Sequence, residues 1–225
     1  MNFSRSQIIQ TLINVRNYSR YLEVGVHKGE TFLNIDAEKK VAVDIKFSFD
    51  YQNDKNPNAT YYQVPSDQYF SSPAGRDKFD IIFIDGLHTL EQTLRDLLNA
   101  VTSLADGGII VIDDVIPDSY HASLPDFQQS LRLRNHLGST SRSWMGDVYR
   151  VVFFIHYFLP KFNYATVTDS HGVLVMWQDP RRNTFEPKMS LEDIGRVPFE
   201  AIVDNERIYN KLPFEAVLRQ IANAK

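Results

Sequence analysis

Phe79-Asp80-Ile81-Ile82-Phe83-Ile84-Asp85-Gly86 and, further along, Ile109-Ile110-Val111-Ile112-Asp113-Asp114 decide the fold of this 225-residue chain. Each is a continuous apolar run rather than an alternating one, and each stops at aspartate. Strands buried on both faces read this way, as in a parallel sheet covered by helices on either side. Between the two runs Thr89 opens a helix, with Gln92 completing a capping box. Leu90, Leu94, Leu97, Leu98, Val101 and Leu104 then share one face at spacings of three and four, and Gly107-Gly108 ends the element. The order strand, helix, strand predicts an α/β fold.

Upstream, Tyr21 to Val24 is a short strand stopped by Gly25, and Lys40 to Val43 is a second ending at Asp44. The Asn- and Asp-rich stretch Tyr51 to Asn58 is a surface loop, and Thr60 to Gln63 is a candidate third strand. At the start, Ser4-Arg5-Ser6-Gln7 forms a capping box ahead of Ile8, Ile9, Leu12 and Ile13 at helical spacing. Downstream of Pro117 the pattern loosens into polar and aromatic residues up to Asp147. Val148 to Leu159 then predicts an apolar helix. Tyr164 to Thr168 and Val173 to Trp177 predict a hairpin around Asp169-Ser170-His171-Gly172. The tail from Ser190 is amphipathic in places and broken by Pro198 and Pro213. One domain spanning 1–225 is the simplest partition, with an N-terminal helix at about 4–16 and a C-terminal helical extension at about 188–225.

Composition narrows the function. Apolar residues make up 43%, with 15 Phe and 11 Tyr, enough for a sizeable core. A net charge of -4 without a basic stripe argues against a duplex nucleic-acid partner. With no cysteine there is no disulfide framework, Cys-ligated zinc or thiol nucleophile. No stretch reads as a signal peptide or a membrane span, so a cytoplasmic protein without a membrane partner is expected. A homo-oligomer is compatible with the sequence, which does not fix the oligomeric state.

Leu22-Glu23-Val24-Gly25-Val26-His27-Lys28-Gly29-Glu30-Thr31 is expected to join a strand to a helix whose N-terminal amides face a ligand. Gly25 permits a tight turn and Gly29 a close approach. Asp44 ends the next strand, where a carboxylate can accept from both hydroxyls of a ribose. Position 27 is His where the dinucleotide fingerprint has its middle glycine, and no phosphate-loop G-K-[ST] is present. The plain alternative is an α/β turn that needs glycine for packing.

Asp85, Asp113 and Asp114 end neighbouring strands at the edge that carries Gly25, where open α/β sheets bind ligands. Carboxylates are hard donors that suit Mg²⁺. Adjacent strand residues point to opposite faces, so Asp113 and Asp114 converge only if the chain has already turned out of the strand. His88, three residues past Asp85, is of the type that exchanges a proton near neutral pH. Capping and salt-bridged turns are the alternatives for these residues.

With these motifs the chain resembles the class I S-adenosylmethionine-dependent methyltransferases, and more narrowly the magnesium-dependent O-methyltransferases that modify sugars on macrolide-type natural products. The resemblance covers roughly Tyr21 to Trp177. It implies a Rossmann-like, seven-stranded, mostly parallel sheet with its last strand antiparallel. It also implies a cofactor held by Glu23, Gly25, Gly29, Asp44, Ser66, Asp67 and Asp85. Asp85, Asp113 and Asp114 would bind Mg²⁺, and His88 would be the general base toward a small hydroxylated acceptor, either a sugar diol or a catechol-like pair. Gly146-Asp147-Val148 resembles the return of a substrate loop. His121, Arg142 and Trp144, in the segment 117–147 expected to cover the acceptor, are candidate acceptor contacts. The rival readings are a nucleotide-dependent oxidoreductase, a non-catalytic cofactor-binding module, and a methyltransferase acting on nucleic acid or protein.

Overall fold

Along the chain, α1 (Arg5–Arg16) leads into β1 (Arg20–Val24), β2 (Lys39–Asp44) and β3 (Ala59–Gln63), and α2 (Ser66–Ser71) precedes β4 (Phe79–Ile84). Next come α3 (Leu90–Ser103), β5 (Leu104–Ile112), α4 (Phe127–His136), α5 (Val151–Phe158), β6 (Phe162–Val167) and β7 (Leu174–Gln178). The C-terminal part adds α6 (Leu191–Gly195), α7 (Ala201–Asp204), α8 (Glu206–Tyr209), β8 (Lys211–Leu212) and α9 (Phe214–Asn223). The computed structural model describes residues 2–181 and 189–224, so the boundary expected at Lys188 lies outside the described residues.

All strands join one sheet in the order β3-β2-β1-β4-β5-β7-β6-β8. The first five of these neighbours run parallel, and β7 is antiparallel to both β5 and β6. The expected seven strands with an antiparallel last member are therefore present. An eighth strand of two residues, β8, pairs in parallel with β6 and brings the C-terminal extension onto the sheet.

The continuous apolar runs follow from burial on both faces. Ile82 and Ile84 of β4, with Ile110 and Ile112 of β5, enter one core with Leu97 and Ala100 of α3 and the apolar residues of α5. Ile81 and Phe83, with Ile109 and Val111, enter the other core against Ile8, Ile9, Leu12 and Ile13 of α1 and Phe214, Val217 and Ile221 of α9. The capping box at Ser4 is present. Ser4 Oγ accepts from the Gln7 amide at 3.2 Å, and the Gln7 side chain accepts from the Ser4 amide at 2.9 Å.

Three local expectations change. The glycine loop after β1 does not enter a helix. It closes into a single 3₁₀ turn, Phe32–Asn34. The buried Lys40 ammonium takes the Phe32 and Ile35 carbonyls at 3.0 and 2.9 Å, which ends the turn before a further one can form. Second, α3 stops at Ser103 and β5 begins at Leu104, so Gly107 and Gly108 lie inside the strand. Third, the box at Thr89 is half built. Thr89 Oγ1 accepts from the Gln92 amide, but the Gln92 side chain turns to Ser66, Asp67 and Asp96.

At the opposite sheet edge, Asp80 accepts from the amides of Ser19 and Arg20 at 3.1 and 2.9 Å and from the Arg20 guanidinium at 2.6 Å. Burial opposes its charge, but the Arg20 bond and the two amides outweigh it and hold the carboxyl below its ordinary range. Its contribution is therefore present above the unfolded pKa of about 3.9 and lost as pH falls through the lower folded value. Arg20 is partly exposed, so Asp80→Ala is expected to cost about 1–2 kcal/mol at pH 7. Denaturant titrations at pH 7 and pH 3 check this, with the smaller difference at pH 3. Among the described residues, no helix is long and apolar enough to cross a membrane.

Candidate active site

Because β2, β1, β4 and β5 are neighbours in near-level register, the residues that follow them meet at one sheet edge. Val24 pairs with Val43 and Ile84, and Ile84 pairs with Ile112. There a cleft of about 860 Å³ is lined by Glu23, Gly25, Asp44, Ser66, Asp67, Asp85 and His88, among others.

Gly25 makes the turn at φ +85°, and a Cβ there would sit 1.9 Å from the Asp85 carbonyl oxygen. Gly29, at φ +76°, supports the loop from outside the cleft, against Leu33 and Phe49. With no helix after the loop, the expected helix amides are absent. The Val26 and His27 amides are spent on Asp44 Oδ2, both at 2.7 Å, while Asp44 Oδ1 accepts from the Lys46 amide at 2.8 Å. Asp44 thus organises the loop as well as lining the cleft. It also helps hold His27 at φ 46°, a left-handed value uncommon outside glycine. Glu23 is buried and accepts from the Tyr21 hydroxyl. Burial drives its pKa well above the ordinary carboxylate range against that bond.

The acidic residues converge because the chain leaves β5 abruptly. The Asp113 amide still bonds the Ile84 carbonyl at 3.0 Å, but Asp114 adopts φ 63°. Both carboxylates are buried, and neither Asp113 oxygen nor Asp114 Oδ2 has a hydrogen bond of regular geometry. Their compensation is ionic. Arg5 Nε touches Asp113 Oδ2, and Arg5 Nη1 lies 3.8 Å from Asp85 Oδ2. His88 lies between Asp85 Oδ1, 3.4 Å from Nε2, and Asp114 Oδ2, 3.2 Å from Nδ1. Burial and its acidic neighbours push Asp113 well above the ordinary range. Burial lifts Asp114 to about 7 against the pull of His88. For His88, burial disfavours the charged ring, but Asp85 and Asp114 prevail and raise its pKa to about 9.

His88 is held from a distant segment. Its Nδ1 lies 2.7 Å from the Trp144 carbonyl, which can only accept, so that nitrogen carries a proton. The two rings are 5.0 Å apart, and Trp144 Nε1 donates to the Leu124 carbonyl at 2.8 Å. Gly146 packs so tightly on the His88 backbone that a Cβ would lie 1.6 Å from its carbonyl oxygen. Asp147 accepts from the Leu90 amide at 2.7 Å, satisfying the first amide of α3 from a distant segment. The expected acceptor contacts divide. Trp144 stands beside His88. His121 is buried with Nε2 between Ser119 and Ser139, and Arg142 is exposed; none of the three is among the residues lining the cleft.

The donors fit a divalent cation. Asp85, His88 and Asp114 each offer an atom within 4.8 Å of the others, whereas Asp113, expected as the third ligand, faces Arg5. Arg5 was legible in the sequence only as part of a cap, since its partner lies more than a hundred residues away. The clamp at Trp144 to Asp147 had one local signal, the Gly146-Asp147 pair.

Residues 22–115 match the family model described as a methyltransferase domain. No functionally curated protein matches the sequence. Among solved structures, the chain is similar to a candidate caffeoyl-CoA O-methyltransferase from Staphylococcus aureus, at 14% identity and TM-score 0.52, covering 77% of this chain and 82% of that one. It is similar to cofactor-bound Rv0187 from MTB at 15% identity and TM-score 0.51, covering 77% and 79%. It is also similar to MycE methyltransferase from the mycinamycin biosynthetic pathway, in complex with Mg, SAH and mycinamycin VI, at 16% identity and TM-score 0.52, covering 80% of this chain and 50% of that one. At these identities the likeness is one of fold. The sheet order and the flanking helices are those of the class I, Rossmann-like methyltransferase fold, and the matched segment lies within it.

Proposed function

We propose that this protein is an S-adenosylmethionine-dependent O-methyltransferase that acts on a small hydroxylated acceptor, a sugar-like vicinal diol or a catechol-like pair, with the aid of Mg²⁺. The observation that carries the reading is that the glycine loop and Asp44 line the same cleft as Asp85 and His88, with Asp114 against the other nitrogen of His88. The likeness to MycE, bound to Mg and SAH, supports the pairing of metal with cofactor.

When bound, S-adenosylmethionine supplies a methyl group on a sulfonium, and a divalent cation supplies Lewis acidity to the acceptor oxygen. The chain's residues do the rest. Gly25 makes the turn that lines the cofactor's place, Asp44 accepts from the ribose, and Glu23 meets the methionine part. Ser66 and Asp67, at the start of α2, approach the adenine, and the exposed side chain of Ile45 offers it an apolar rim. Asp85 and Asp114 are the carboxylates for the cation. His88, once neutral, uses Nε2 to take the acceptor proton while the Trp144 carbonyl fixes its ring.

A second reading is favoured by the compactness of the Asp85, His88 and Asp114 group: His88 Nε2 as a metal ligand, with the proton passing elsewhere. A single lone pair cannot serve both roles.

Calorimetry with S-adenosylhomocysteine tests the cofactor assignment. Asp44→Ala removes charge-assisted bonds worth about 1.5–3 kcal/mol each, so its affinity is expected to fall at least about tenfold below the parent's. Equal affinities, or tight binding of NAD in place of S-adenosylhomocysteine, would reject the assignment.

A further inference from the structure

We propose that Arg5 is the resident counter-ion of the acidic cluster. By neutralising Asp113 it weakens the cluster's hold on a divalent cation and removes Asp113 from the ligand set. The proposal rests on the metal reading above, and its test separates the two.

The charges alternate through the cluster. From Asp113 the contacts run to Arg5, then Asp85, then His88, then Asp114. Asp113 is wholly buried, and the Arg5 guanidinium is its only cationic contact among the described residues. A buried carboxylate without a donor or a cation is strongly disfavoured, so one must be supplied. A proton, a guanidinium or a metal ion can neutralise Asp113, and this fold provides the guanidinium.

Arg5 is delivered by a rigid element. It is the first residue of α1, directly after the Ser4 cap. Ile8, Ile9, Leu12 and Ile13 bury the helix against the sheet. At its entry the Phe3 amide bonds the Asp169 carbonyl at 2.8 Å, and the Phe3 ring meets Phe214 edge-on at 5.2 Å. At its far end Arg16 donates to the Ile221 carbonyl at 3.2 Å. The backbone that carries the guanidinium is therefore fixed at both ends. A guanidinium also keeps its charge at every physiological pH, so this counter-ion cannot leave by losing a proton.

Two consequences follow for a cation entering the cluster. It meets Asp85 and Asp114, both already beside His88, and it does so next to a permanent positive charge 3.8 Å from Asp85. Arg5 is thus a positioning residue that holds Asp113 aside and sets the affinity of the site.

The test is calorimetric titration of the full chain with MnCl₂, comparing the parent with Arg5→Gln and Asp113→Asn. Removing the guanidinium frees Asp113 and the space beside it, so Arg5→Gln is expected to bind Mn²⁺ at least about tenfold more tightly. Asp113→Asn is expected to stay within about threefold of the parent. A merely structural role for Arg5 would not raise affinity. If the parent binds no Mn²⁺ but Arg5→Gln does, the role of Arg5 stands and the metal-dependent reading of the parent falls. An Arg5→Gln chain that binds no more tightly than the parent overturns the proposal, as does a loss of more than about tenfold in Asp113→Asn. Should Arg5→Gln unfold for want of a counter-ion, millimolar Mn²⁺ is expected to restore its folded circular-dichroism spectrum. Failure to restore it overturns the proposal as well.

Discussion

Replacing His88 with Ala is expected to lower kcat by about 10²–10⁴ while leaving affinity for S-adenosylhomocysteine nearly unchanged. An unactivated alcohol is a poor nucleophile, so the proton must leave as the methyl group arrives. His88 is the imidazole that lines the cleft beside Asp85, and its other nitrogen is committed to the Trp144 carbonyl. The variant empties a position without disturbing the backbone that Gly146 clamps. The measurement needs an acceptor, found by screening catechols and sugar diols for transfer of a labelled methyl group. Mn²⁺ affinity, measured on the same variant, separates the two roles of the ring. A base leaves metal affinity nearly intact, whereas a ligand takes it away together with kcat. Near-parental kcat would remove His88 from the chemistry.

Gly25→Ala is expected to weaken S-adenosylhomocysteine binding by at least about 30-fold, combining left-handed backbone strain of about 1–2 kcal/mol with overpacking of about 1–3 kcal/mol. Backbone meets backbone there: the added Cβ would lie 1.9 Å from the Asp85 carbonyl oxygen and 2.7 Å from the Gly86 Cα. Neither atom has a rotamer to escape through, so the loop must leave Asp85 or Asp44 must release the loop. Gly29→Ala makes a control of graded severity, since its Cβ would first meet the Leu33 side chain at 2.9 Å, which can turn aside. Calorimetry on both variants should show the larger loss at Gly25, and equal losses would contradict the account of the loop.

The sheet and its edge were legible because both leave local marks. A strand buried on two faces is apolar at every position, as Ile81 to Ile84 and Ile109 to Ile112 are, and Asp44, Asp85 and Asp113 mark the points where the strands end. The cap at Ser4 was legible for the same reason. The cap of α4 carries a comparable mark, since Asp126 accepts from the Gln129 amide at 2.7 Å. The 3₁₀ turn after the glycine loop depends on Lys40 reaching back from the next strand, and no pattern within residues 25–38 announces it. The two-residue β8 is too short to carry a period. Within the site, the Asp85 and His88 neighbourhood follows from chain order. Arg5 on Asp113, Trp144 on His88 and Asp147 at the start of α3 join segments far apart in sequence, and only the folded chain brings them together. The left-handed Asp114, which lets two adjacent carboxylates share an edge, was foreseeable as a requirement but not as a fact.

The central claim is that one cleft holds the methyl donor and the catalytic cluster side by side. A crystal structure of the protein grown with S-adenosylhomocysteine and MnCl₂ tests it most directly. The account predicts the ribose on Asp44 and the methionine part along Gly25 and Glu23. It also predicts an anomalous manganese peak in contact with Asp85 and Asp114, with Asp113 still on Arg5. S-adenosylhomocysteine density outside this cleft, or a cleft that stays empty at saturating concentration, would contradict it.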